Sequence, residues 1–383
     1  MTKCNYIYTK THRKQRWILV NRIMIWGWFG FENTGDDLLL KTMLSFLVKK
    51  ENIITIPMTK KYQLNSNINQ VSRSYRNLFT GILNNDVLII GPGGLFPFDN
   101  TKKFLLYWAI VRVWKLMNKK VIFFGIGISE KISNKSAYLL RNITLHSDLF
   151  ITRNPNLLDR IKTPKMYSMS DVVFALNYDF INYDFKKKSN GYIIGISVVN
   201  FTHDTFQKNV NIWVEVVEKL LCDGYRIDLL AFTKGQDDIM IDYIKDYFKD
   251  NINVNAIHYK DIGQTIFEWG KYKAVICMRF HSLVLSIKAL VPAVPIAYGH
   301  KTYTLAKECG LEEYTLKWNN SQSEYYGEII DVSSSQILNK LALVISDEQK
   351  ILRLMKNNSK IFYTSANDAF DKLNDVINTE DDK

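Results

Sequence analysis

Residues Ala274 to Lys301, A-V-I-C-M-R-F-H-S-L-V-L-S-I-K-A-L-V-P-A-V-P-I-A-Y-G-H-K, constrain this chain more than any other stretch. They read as a buried strand over 274–280, an amphipathic helix over 282–290 stopped by Pro292, and a second buried strand over 293–298. A cationic tip at Lys301 follows. Strand, helix and strand in that order form a parallel βαβ unit, and in such sheets the carboxyl ends of the strands converge on the crevice that binds ligands. Arg279 and His281 are two apart, so on an extended strand they project from one side. Three potentially positive groups at successive strand ends predict a pocket for a small, doubly charged anion. Arginine can grip carboxylate or phosphate bidentately, lysine adds a point charge, and histidine moves a proton near neutral pH. Ser282 is expected to cap the helix, aiming its positive N-terminus into the same crevice. His300 stands as a substitute for His281. Singly, each of these is more often a surface Arg, a backbone-satisfied His or a solvated Lys; only their coincidence singles them out.

The rest of the chain repeats the same rhythm. Strands are expected at 23–27, 53–56, 87–91, 121–125, 148–152 and 166–168, with helices at 36–50, 102–118, 133–146 and 156–162. The alternation restarts at 192–199 and continues through helix 206–222, strand 225–232, helix 236–249, strand 253–259 and short helix 264–271. At 383 residues the chain suits two α/β domains rather than one core. The expected division is a basic leader over 1–22, a Rossmann-like domain over 23–178, and a polar linker over 179–191. A second Rossmann-like domain over 192–345 and a C-terminal helix and tail over 346–383 complete it. The fold class is therefore α/β, two Rossmann-like domains with parallel sheets facing across a cleft.

Composition excludes several alternatives. The longest apolar runs are strand-length, far short of the ~20 residues of a membrane span, and no cleavage signal follows an apolar segment. A cytoplasmic protein is expected, with peripheral contact at the inner membrane face as an extension. Cys4, Cys222, Cys277 and Cys309 show no paired or metal-binding spacing, and Cys222 and Cys277 read as small core residues. No metal site is expected. The net charge is +12, and residues 1–22 hold Lys3, Lys10, Arg13, Lys14, Arg16 and Arg22 with no acid. That leader is either disordered, a start upstream of a true one at Met24, or an arm drawn to anionic lipid. Nucleic-acid binding has no motif to support it. The run Phe104 to Met117 is apolar almost all round, which fits burial between layers; the alternative is a membrane seat with Trp108 and Trp114 at headgroup level.

Three glycine-bearing turns follow strands of the first half. In Gly27 to Leu38, Gly30 and Gly35 permit turn geometry, and Asn33 favours local side-chain bonding. Asp36 and Asp37 head the next helix, where one carboxylate serves the free N–H groups. The second leaves room for acceptor binding or base catalysis. Gly91-Pro-Gly-Gly94 and Gly125-Ile-Gly127 would let a ligand approach the backbone, or merely allow tight packing; neither matches a nucleotide-binding spacing.

Together these motifs resemble the polysaccharide pyruvyl transferase family. The resemblance rests on N-x-G-D-D at 33–37, G-P-G-G at 91–94 with Asp99, G-x-G at 125–127, I-T-R at 151–153 and S-D-V-V-F at 170–174. It ends with M-R-F-H-S-L at 278–283, V-P-x-x-P-I-A-Y at 291–298, and Lys301. Asp37 stands where the family usually has glutamate, Pro92 interrupts a glycine run, and Asn154 replaces an aspartate. The resemblance implies a glycosyltransferase-B-like pair of domains that moves the enolpyruvyl unit of phosphoenolpyruvate onto a sugar as a cyclic ketal. The acceptor would be a cell-surface glycan or its lipid-linked precursor. Phosphoenolpyruvate would be the co-substrate, with no cofactor. In that reading His281, Arg279, Asp36 and Asp37 are catalytic. Arg279, Lys301, Ser282, Asn33, Gly35, Gly93, Gly94, Gly125 and Gly127 bind substrate. Two other readings remain. A sugar-nucleotide glycosyltransferase of the same plan would need an acidic pair for ribose, with Glu308, Glu312 and Glu313 available. A non-catalytic glycan-binding descendant would have no need of the cationic cluster.

Overall fold

The computed structural model describes residues 6–7, 18–19, 21–48, 52–64, 67–176, 192–200, 206–318 and 332–379. The expected linker over 179–191, most of the basic leader and the final Glu380–Lys383 lie outside these residues. Within the leader, β1 (Tyr6–Ile7) pairs antiparallel with β2 (Ile18–Leu19). The chain divides into two compact units: Met1–Phe31, Asp36–Leu176 and Phe362–Lys383 form the first, and Glu32–Gly35 with Asn177–Ile361 the second.

The first unit is built on β3 (Arg22–Trp26), β4 (Ile53–Met58), β5 (Ile68–Ser72), β6 (Val87–Ile90), β7 (Gly93–Phe96), β8 (Lys120–Ile128), β9 (Leu149–Thr152) and β10 (Met166–Ser168). Their order is β10-β9-β8-β6-β3-β4-β5, with β7 pairing β8, and every pairing is parallel. Between them run α1 (Thr34–Leu47), α2 (Tyr75–Asn84), α3 (Thr101–Leu116), α4 (Asn134–His146) and α5 (Asn156–Ile161). Strands β3, β6 and β8 are buried on both faces, so they read as continuous apolar runs rather than alternations. β5 and α2 escape sequence reading because each is short and interrupted by polar residues, and β7 because its first two residues are glycines.

The second unit holds β11 (Ile193–Ser197), β12 (Arg226–Leu230), β13 (Val254–Ile257), β14 (Ala274–Cys277), β15 (Ala293–Ala297) and β16 (Leu316–Lys317) in the order β13-β12-β11-β14-β15-β16, all parallel. This is the doubly wound order, whose direction reverses between β11 and β14. Its helices are α6 (Phe206–Cys222), α7 (Asp237–Tyr247), α8 (Tyr259–Phe267), α9 (Phe280–Ala289), α10 (His300–Glu308) and α11 (Ser334–Ser346). The long α12 (Glu348–Asn378) begins in the second unit, where Glu348 pairs with Lys273. It ends in the first, where Phe370 stacks on Phe46 at 3.8 Å.

Two expectations about side chains change. Cys277 and Cys309 are buried, but Cys222, the last residue of α6, is exposed. In α3, Phe104, Tyr107 and Trp114 point into the core while Leu105 and Leu116 face outward. Trp114 is fully buried, so it cannot sit at a headgroup level. No helix among the described residues is long and apolar enough to cross a membrane.

Candidate active site

β14 stops at Cys277 and α9 starts at Phe280, which leaves Arg279 as the N-cap with extended backbone and His281 in the first helical turn. The expected strand to residue 280 is therefore shortened, and the pleat argument for a shared side of Arg279 and His281 does not apply. What places them is the loop at the switch point of the sheet. The Arg279 N–H donates to Ser197 Oγ at the end of β11, 3.3 Å away.

The guanidinium of Arg279 turns to the head of α7. Its Nε donates to Asp237 Oδ2 at 2.9 Å, its Nη2 donates to Asp237 Oδ1 and, at 2.9 Å, to Gln236 Oε1. Asp237 is fully buried and also accepts from the N–H groups of Phe232 and Thr233, each at 3.0 Å. Burial works against the charge on Arg279, but Asp237 and a hydrogen bond with Tyr298 outweigh it and hold the guanidinium above its ordinary pKa. Burial raises the pKa of Asp237 above the ordinary carboxylate value, and Arg279 with the N–H groups of Phe232 and Thr233 opposes that rise. The arginine is thus held in a buried pair, and the Nε–Nη2 edge of the fork expected to grip an anion is engaged by Asp237.

Ser282 differs from expectation as well. Its hydroxyl donates to the Arg279 carbonyl at 2.5 Å and the side chain is buried, so it braces the first turn from within instead of capping it. No side chain caps α9, and none caps α10, whose N-cap is Gly299. Two adjacent parallel strands therefore each lead into a helix whose N-cap residue, Arg279 or Gly299, makes no side-chain capping bond. Such termini favour anions. His281 and Lys301 each occupy the second position of one of these helices. Lys301 is exposed, its Nζ 5.5 Å from the Phe280 ring centroid. His300 is half-buried, with Nδ1 2.9 Å from Thr304 Oγ1 one turn on.

The segment Glu32–Gly35 belongs to this second unit. Thr34 N–H donates to Phe232 O at 2.8 Å, Lys234 N–H to Glu32 O at 3.0 Å, and Lys234 pairs with Glu32. Asn33 is spent on architecture: its Nδ2 donates to Thr233 Oγ1 and its Oδ1 accepts from the Gly35 N–H. Gly35 lies against the imidazole of His281. A Cβ there would come within 2.2 Å of His281 Nδ1, so only glycine lets the ring approach this closely. In the structure Asn33 holds the turn to Thr233, and Gly35 makes room for His281.

In the first unit, Asp36 and Asp37 occupy the first turn of α1. Asp37 Oδ1 accepts from the Tyr62 hydroxyl at 2.8 Å. Asp36 Oδ1 lies beside Gly93, 3.6 Å from where a Cβ would be. Gly93 and Gly94 begin β7 rather than forming a free turn, yet Gly94 is exposed, with open space where a side chain would stand. Gly125 and Gly127 are not a turn after a strand either, for β8 runs on to Ile128. Gly125 has φ +62° at a register shift, and Gly127 makes room for Arg153 and Gly94. Both serve packing. Asp99 accepts from the Ser133 N–H at the head of α4, and its hydrogen bond with Ser136 leads in lowering its pKa.

Sequence reasoning missed Asp237, Gln236 and Tyr298. The signal was present: Asp237-Asp238 opens a helix directly after a strand, the criterion applied to Asp36-Asp37. It also left the I-T-R and S-D-V-V-F motifs unconnected. The structure joins them through a buried ion pair between Arg153 and Asp171.

A model of the polysaccharide pyruvyl transferase family matches residues 33–300. The chain belongs to that family. The matched span runs from Asn33 to the head of α10 and so includes both the Gly35–His281 contact and the Arg279–Asp237 pair. Among solved structures, the chain is similar to a protein assigned as a UDP-N-acetylglucosamine 2-epimerase from Listeria monocytogenes, with TM-score 0.60, 11% identity, and 95% and 98% of the two chains covered. A ugt transferase from Siraitia grosvenorii in complex with UDP gives 0.56, 12%, 93% and 100%. A glycosyltransferase from Rickettsia africae gives 0.56, 11%, 93% and 98%. At these identities the likeness establishes the fold, a glycosyltransferase-B-type pair of Rossmann-like sheets. No curated protein matches the sequence.

Proposed function

We propose that this pyruvyl transferase uses phosphoenolpyruvate to ketalise a sugar of a cell-surface glycan or its precursor, with no metal and no cofactor. The observation that carries the donor assignment is the pair of helices, α9 and α10, whose N-cap residues make no side-chain capping bond, at adjacent strand ends with His281 and Lys301 in their first turns. Phosphoenolpyruvate carries a phosphate and a carboxylate, and two helix ends with a lysine supply complementary charge. Arg279, engaged by Asp237, contributes by fixing the α9 turn.

The chemistry balances as follows. A proton added to the methylene carbon of the enol makes a methyl group and an oxocarbenium-like centre at the neighbouring carbon. One sugar hydroxyl attacks that carbon and loses its proton. The carbon–oxygen bond to phosphate then breaks, and a second hydroxyl attacks and loses its proton. One proton ends on the methyl, the other on the departing phosphate. His281 is assigned the proton delivered to carbon, a step worth typically ~10²–10⁴-fold in rate. Asp36, next in the chain to Gly35 in the first turn of α1, is assigned a proton from the acceptor.

Of the acidic side chains named for the nucleotide-sugar alternative, Glu312 accepts from Tyr303, Glu313 pairs with Lys350 at 3.1 Å, and burial raises the pKa of Glu308. Phosphate release from phosphoenolpyruvate in the presence of candidate glycans tests the proposal. His281→Ala and Asp36→Asn should each lower it by about 10²–10⁴-fold in folded protein. Full turnover in His281→Ala, or consumption of a nucleotide sugar in place of phosphoenolpyruvate, would overturn it.

A further inference from the structure

Helices α2, α3 and α4 cover one face of the first sheet. Leu78 and Ile82 of α2, Phe104 and Trp114 of α3, and Leu140 and Ile143 of α4 share a single core with the strands beneath. α3 packs along α4, and Lys119, just beyond α3, ties it to the end of α2 by donating from Nζ to the carbonyls of Ile82 and Asn85. None of the three helices contains an aspartate or glutamate. They carry Arg76 on α2, Lys102, Lys103, Arg112 and Lys115 on α3, and Lys135 and Arg141 on α4. Asp148, just beyond α4, offsets one of these by pairing with Lys115 at 2.7 Å.

The outward sides of these helices are apolar between their cations. On α2, Tyr75, Phe79 and Leu83 are spaced by four and therefore line one stripe; Phe79 is 47% and Leu83 71% exposed. On α3, Leu105, Val113 and Leu116 are exposed, Leu116 at 78%. A shallow groove between α3 and α4 is lined by Leu105, Lys135, Tyr138 and Leu139. Isolated exposed apolar residues need no explanation, but a contiguous set does. Apolar and aromatic residues interleaved with Lys and Arg, and free of acids, make the composition of a helix face that lies in a lipid headgroup layer. A protein partner would have to be both acidic and apolar; an anionic bilayer is both by nature.

We infer that the outer face of α2, α3 and α4 seats this protein on an anionic membrane surface. The inference does not depend on the reaction proposed above. Co-sedimentation of the full chain with vesicles of phosphatidylcholine alone, or of phosphatidylcholine with phosphatidylglycerol, tests it. Binding should be stronger by at least about tenfold with the anionic lipid and should weaken with added salt. The exposed-site variants Phe79→Glu with Leu83→Glu, and separately Leu116→Glu, should each lose about tenfold or more of that binding. Their thermal unfolding should stay unchanged, since Phe79, Leu83 and Leu116 are exposed. The inference fails if the wild-type chain does not pellet with anionic vesicles. It fails equally if both variants bind as wild type does, which would move the contact to the basic N-terminal residues. Self-association through Phe79 without lipid binding would also reject it.

Discussion

Replacing Gly35 with alanine puts a methyl group where the structure has the imidazole of His281. The new Cβ would lie 2.2 Å from Nδ1 and 2.7 Å from Cε1, and 3.1 Å from Asn33 Oδ1. Carbon contacts are favourable near ~3.5–4 Å, so the ring must retreat by more than about an ångström. Overpacking of this kind costs about 1–3 kcal/mol, which in a domain of this size lowers Tm by about 2–4 °C per kcal/mol. Gly35 sits in the first turn of α1. With the imidazole removed by His281→Ala, alanine at 35 should instead gain roughly 0.5–1 kcal/mol, because it restricts the unfolded chain and suits a helix. The Asn33 contact is present in both backgrounds and cancels. A double-mutant cycle by urea unfolding should therefore return a coupling of about 1.5–4 kcal/mol, with a change of sign between backgrounds. Displacing a reacting group by an ångström also costs about 10²-fold in turnover, and this loss should vanish in the His281→Ala background. An alanine at 35 that destabilises both backgrounds equally would refute the claim that glycine is there for the histidine.

Other outcomes follow from the same geometry. Asp237→Ala should cost about 3–5 kcal/mol in denaturant unfolding, since it strands a buried guanidinium, and the pair Asp237→Leu with Arg279→Met should recover much of that loss. Lys288 on α9 has its pKa pushed down to about 8 by burial. Its unfolded value is near 10.4, so the unfolded chain binds more protons between these pH values, and stability should rise as pH increases from about 8 to 10. Lys288→Met should abolish that rise and be more stable at pH 7 by up to about 3 kcal/mol, as read by urea midpoints. Asp36→Asn should lower turnover by about 10²–10⁴-fold at unchanged Tm. Asp37→Asn, which weakens one hydrogen bond with Tyr62, should cost about 0.5–1.5 kcal/mol of stability instead.

Much of the architecture is written in local pattern. Apolar runs of strand length separated by helix-length segments specify parallel βαβ units, because a strand buried on both faces has no polar positions to alternate. By that logic alone Val87–Ile90, Val121–Phe124 and Ala274–Cys277 are central strands, and the residues after Cys277 lie at a ligand-binding edge. The sequence therefore determined two Rossmann-like sheets and the neighbourhood of His281 and Lys301. Only the tertiary structure decided what those residues touch. Arg279 is spent on Asp237, Ser282 braces its turn from inside, and Gly35 yields space to His281 although it lies near the other end of the chain. Periodicity reports which side of an element faces inward; it carries no information about which distant side chain waits there. That choice is made when the chain ends of separate strands are brought together, and charge pairing and hard-core sterics then select among the groups that meet.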